Sequence, residues 1–123
     1  MENRSKEIVC ITTCPGASNV SMMAYKAASI LAKEGYGTFV RIAGEKAREK
    51  DTARLREANK TAAKWILVNG CQKKCGFEAF SIAGIHPDKH ILVTDLGIQR
   101  ENKTEFTQEE LAIVLEAIKK LQI

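Results

Sequence analysis

Apolar positions along the chain alternate between two patterns: short continuous runs, and longer stretches stepped by three and four. Residues 6–13 hold the run Ile8-Val9-Cys10-Ile11, typical of a strand covered on both faces. Cys14-Pro15-Gly16-Ala17-Ser18-Asn19 breaks the run as a turn. Val20, Met23, Ala24, Ala27, Ala28, Leu31 and Ala32 then follow helical spacing. Ser18 or Asn19 can cap that helix, and Gly35 can close it in the left-handed conformation.

The alternation repeats. Residues 38–42 read as a second strand and 51–64 as a polar helix with a thin apolar stripe at Ala53, Leu55, Ala58 and Ala62. Residues 64–69 read as a third strand and 73–83 as a short helix closed by Gly84, with Pro87 just beyond. Residues 90–94 read as a fourth strand. Thr107 followed by Glu110 forms a capping box for a last helix, whose face is Leu111, Val114 or Leu115, Ile118 and Leu121. Strands that alternate with helices predict parallel pairing through right-handed crossovers. The expected fold is one three-layer α/β domain over residues 1–123. It has a four-stranded, mainly parallel Rossmann-like sheet with helices on both faces.

That pattern places the unusual residues. Ligands of open parallel sheets bind beyond the carboxyl ends of the strands. There the chain carries Cys14, then Arg41 to Gly44, then Asn69-Gly70-Cys71 with Cys75, then Thr94-Asp95-Leu96-Gly97. Cys14, Cys71 and Cys75 are therefore expected to converge. Two cysteines four apart at a helix start share a face, with β-carbons ~5–6 Å apart, which suits two sulfur ligands of one zinc. Cys10 and Cys14 sit on or beside a strand and are ~13 Å apart when extended. Cys10 is therefore expected in the core. His86 and His90 flank Pro87-Asp88 at the opposite edge and read as surface loop residues.

Composition narrows the chemistry. The chain has 123 residues, 45% hydrophobic and 28% charged, an ordinary globular balance. Its longest apolar run, Trp65-Ile66-Leu67-Val68, falls far short of the ~20 residues that span a bilayer. The charged start, Met1 to Glu7, does not resemble a secretory leader, so a cytoplasmic location and no membrane partner are expected. In a reducing compartment four spaced cysteines point to metal or redox chemistry. The net charge of +4 is mild, and Glu45, Glu49, Asp51 and Glu57 interrupt the basic stretch after Arg41. That stretch reads as a solvated helix surface, with no nucleic-acid partner expected.

Two chemistries suit the cluster. One is a zinc site of Cys14, Cys71 and Cys75, with Asp95 or a water as the fourth ligand. The other is metal-free thiol redox or sulfur transfer by Cys71 and Cys75, favoured by Lys73, Lys74, Arg41 and a helix start, all of which stabilise thiolate. The turn from Cys14 to Asn19 lacks the arginine a cysteine-phosphatase loop needs six residues on; Val20 stands there. No nucleotide-binding glycine motif occurs.

Four segments in this order resemble the DGC-domain family. They are Cys14 to Asn19 with its Ala-rich helix, Ile42-Ala43-Gly44, Asn69-Gly70-Cys71 with Cys75, and Thr94-Asp95-Leu96-Gly97-Ile98. The resemblance implies a zinc-binding domain with four cysteine ligands, of which three fall on Cys14, Cys71 and Cys75. The fourth precedes the Ala-Gly turn, where Arg41 or Ile42 stands here, and Asn69 replaces the family's name-giving aspartate.

Overall fold

The computed structural model describes residues 8–16, 18–70 and 75–121. Strands β1 (Ile8–Thr13), β2 (Thr38–Phe39), β3 (Ala62–Asn69) and β4 (Lys89–Leu92) form one sheet in the order β2-β1-β3-β4. Every neighbouring pair is parallel. Helices α1 (Asn19–Lys33), α2 (Arg48–Asn59), α3 (Cys75–Ala83) and α4 (Gln108–Lys119) fill the connections and the carboxyl end of the chain.

Alternation along β1 divides the core in two. Ile11 faces α1 and α4 and packs with Met23, Ala27, Leu31, Val114 and Ile118. Cys10 faces the other way, into Leu55, Trp65, Leu67 and Phe80 beneath α2 and α3. Trp65 and Phe80 meet edge to face at 5.1 Å, and the Trp65 indole N–H donates to Asn59 Oδ1 at 2.8 Å. Ala24, Ala27 and Ala28 are wholly buried, and their short side chains let α1 lie close to the sheet.

The helix ends follow local chemistry. Ser18 caps α1, and Gly35, at φ 82°, follows its end. Thr107 and Glu110 form the reciprocal capping box of α4. The buried positions of α4 are Leu111, Val114 and Ile118.

Some boundaries depart from the sequence pattern. β2 is only two residues long; Val40 N–H still bonds Ile11 O at 2.8 Å, but beyond it the Arg54 side chain takes the Arg41 carbonyl. α2 starts and ends earlier than the spacing suggests, because a 3-10 turn at Glu45–Ala47 leads into it and β3 already begins at Ala62. β4 ends at Leu92 and winds into a 3-10 turn, Val93–Leu96. No described helix is long and apolar enough to cross a membrane.

Candidate functional site: a thiol crevice at the sheet's switch point

The chain leaves β1 toward β2 by way of α1 on one face, and leaves β3 toward β4 by way of α3 on the other. Neighbouring strands whose connections diverge open a crevice at their carboxyl ends. Here that crevice lies between the ends of β1 and β3, and Cys14 stands in it.

Cys14 is tied from several sides. Its N–H extends the ladder to Val68 O at 3.2 Å. Its sulfur accepts the Gly70 N–H at 3.0 Å and lies 3.4 Å from Ser21 Oγ, one turn into α1. Ser18 Oγ caps the same helix end and donates to Ser21 Oγ at 3.3 Å. Cys14 is 8% exposed, and its sulfur receives a backbone N–H beside the N-terminus of α1, contacts that a thiolate accepts more strongly than a thiol. A thiolate sulfur is a soft donor of the kind zinc accepts.

Close approach holds β3 against α1. A β-carbon on Gly70 would lie 2.9 Å from Ser21 N and 3.0 Å from the Val20 carbonyl carbon. Only glycine lets the strand end come near enough to present its N–H to Cys14. The Gly70 carbonyl accepts Thr94 N–H at 3.3 Å, which draws the turn after β4 to the same edge.

The opening of α3 is fixed by Asn69, which is wholly buried. Its Oδ1 accepts the Gly76 N–H at 3.2 Å, and its Nδ2 lies 3.0 Å from His90 Nε2. Since Gly76 offers only a donor, the Asn69 oxygen must face it and the amide NH₂ must face His90. Nε2 of His90 then accepts, and its proton sits on Nδ1. His90 is thus not the surface loop residue expected from the sequence. It belongs to β4, is half-buried, and packs its ring 4.4 Å from that of Phe77.

The loop after β2 closes the crevice. Asp51, 3% exposed, receives the N–H groups of Ala43 and Gly44 at 2.8 and 2.9 Å, one on each carboxylate oxygen. This corrects its reading as a solvated helix charge. An acidic residue in the first turn of the helix that follows an Ala-Gly turn was the available sequence signal. Arg41 lies at the start of this loop, its guanidinium 5.0 Å above the Tyr25 ring. Among the described residues no carboxylate pairs with it. A cavity of about 240 Å³ opens between Cys14, Pro15, Met22, Tyr25, Phe39 and Arg41.

Cys71, Lys73, Lys74 and the Cys75 side chain lie outside the described residues. The Cys75 backbone opens α3 beside Asn69. Asp95 is exposed on the 3-10 turn next to Thr94. Among the described residues no three acidic, histidine or cysteine side chains cluster as a metal site. Cys10, at 2% exposure, is core as expected, and burial pushes its thiol pKa up.

Fold and crevice define a small parallel α/β domain with a stabilised thiol at its topological switch point. The chain belongs to the DGC domain family, whose model matches residues 10–118. No curated protein and no solved structure matches the chain.

Proposed function

We infer that this protein binds zinc through Cys14, Cys71 and Cys75, with Asp95 or a water at the fourth corner, in the reducing cytoplasm. The observation that carries the reading is the Cys14 sulfur, buried in the crevice and bonded to the N–H of Gly70, the residue immediately before Cys71. The start of α3 at Cys75, held to Asn69 through Gly76, brings the third cysteine's backbone to the same edge. Three thiolates around a divalent ion leave one negative charge, and Arg41 stands beside Cys14 to offset it.

A zinc ion with one labile position supplies a Lewis acid. The chain's own contribution is to keep Cys14 deprotonated with the Gly70 N–H and to fix the surrounding loops with Asp51 and Asn69. The test is elemental analysis of tag-free protein, with thiols counted before and after chelation. Close to one zinc per chain is expected, with Cys71→Ser and Cys75→Ser each depleting it. Metal-free protein from zinc-replete cells, with Cys71 and Cys75 cycling between dithiol and disulfide, would instead favour the metal-independent redox reading.

A further inference from the structure

We propose that the cavity beside Cys14 is a binding site for a small organic monocarboxylate, anchored by Arg41. The proposal needs no metal. Observations on the loop after β2, on α1 and on the cavity wall carry it.

Arg41 borders the cavity, and no carboxylate compensates it among the described residues. Its guanidinium carbon lies over the Tyr25 ring, 5.0 Å from the ring centre. The guanidinium N–H groups form the fork that matches a carboxylate. The rest of the wall is largely apolar: Pro15, Met22, Tyr25, Phe39 and Ile42. A bare inorganic oxyanion would lose water there and gain one cation; a carboxylate on a short apolar body satisfies both parts of the wall. The volume of about 240 Å³ lies below the ~300–1,000 Å³ of drug-sized pockets and suits a body of a few carbons. Cys14 lies in the same wall, so a ligand held by Arg41 sits beside that residue.

The loop that bears Arg41 is built to hold it in place. Asp51 fixes Ala43 and Gly44, and Arg54 holds the Arg41 carbonyl at 2.8 Å. The Arg41 side chain is exposed and supports no core contact, so replacing it leaves the fold intact.

Iodoacetate and iodoacetamide test the site, because they differ in one carboxylate and make the same bond change. The Cys14 sulfur bonds to the CH₂ carbon, and iodide leaves with the electron pair of the C–I bond. Alkylation of Cys14 is followed by peptide mass spectrometry at constant ionic strength, on protein as purified and after chelation. The iodoacetate-to-iodoacetamide rate ratio is expected to be about tenfold higher in folded protein than at the same cysteine in urea, as one arginine–carboxylate contact would give. Propionate is expected to slow iodoacetamide at Cys14, while propionamide does not. Arg41→Gln is expected to return the ratio to its urea value; any change in the reactivity of the sulfur itself acts on both reagents alike and cancels in the ratio. Arg41→Lys is expected to keep part of it. A folded ratio equal to that in urea, a raised ratio that survives Arg41→Gln, no protection by propionate, or a Cys14 inert to both reagents after chelation would each overturn the proposal. Zinc content is read separately, so a failed zinc reading and a failed carboxylate site give different results.

Discussion

Cys10 and Cys14 stand four residues apart, one on β1 and one just past its end, and both are buried. Their surroundings are opposite. Cys10 lies among Leu55, Trp65, Leu67 and Phe80, where its sulfur acts as a small hydrophobe and burial disfavours its charged form. Cys14 lies just past the end of β1, where the strand order reverses, and its sulfur receives a backbone N–H. Burial alone therefore does not decide what a thiol does. The polar groups that reach it do, and in a parallel sheet those gather at the carboxyl edge.

The sharpest way to break the contrast is Gly70→Val. Its side chain would collide with the first turn of α1, so a loss of about 3 kcal/mol in urea unfolding is expected, with Cys14 separated from its N–H donor. Stability within about 0.5 kcal/mol of wild type would show that β3 and α1 do not need this approach.

Asp51→Ala acts on the other wall. It orphans the Ala43 and Gly44 N–H groups, and because water can reach that loop the expected loss is about 2 kcal/mol. Faster amide exchange should be confined to residues 41–47 at first opening, as hydrogen exchange would report.

Cys10→Ser probes the core side. It buries a hydroxyl among apolar groups at a cost of about 1–2 kcal/mol, while leaving the crevice as it is. The wild-type thiol also has a pH signature. Its folded pKa is raised, so its contribution to stability is full below the ordinary thiol range and is lost as pH climbs through that range toward the raised value. Urea unfolding across an alkaline pH series, with Cys10→Ala as the comparison, measures it.

The smallest effect belongs to Asn69→Asp. A carboxylate there still accepts from Gly76, but it now also offers His90 an acceptor, so His90 becomes a donor and holds its charge to higher pH. NMR titration should show the His90 midpoint in the variant above that of wild type. The added stability is then present below the ordinary histidine range and fades as pH rises through the raised midpoint. An unmoved midpoint would mean the Asn69 amide does not set the tautomer.

The strand and helix order was legible because buried runs and helical spacings alternate cleanly. Ser18, Gly35 and the Thr107–Glu110 box marked their helix ends by local chemistry. The end of β2 was not legible, since an Arg54 bond to a backbone carbonyl leaves no periodicity. Cys14 was legible as a carboxyl-edge residue from topology alone. The meaning of Gly70 was only half legible: it serves close approach to α1, a contact that sequence spacing does not encode. Asp51 and His90 were misread for one reason. A charged or polar residue on a polar stretch looks solvated until a partner outside its own element meets it, and both partners here, the Ala43–Gly44 loop and the Asn69 side chain, come from another element.

The central claim is that Cys14 and Cys10 play unlike roles at opposite ends of a short span. Zinc per chain, measured by mass spectrometry on wild type, Cys10→Ser and Cys14→Ser purified side by side, tests it most directly. The account predicts close to one zinc in wild type and in Cys10→Ser, and at least a tenfold lower affinity in Cys14→Ser in competition with a chelator. Equal zinc retention by Cys14→Ser and wild type, or equal losses in the two variants, would contradict it.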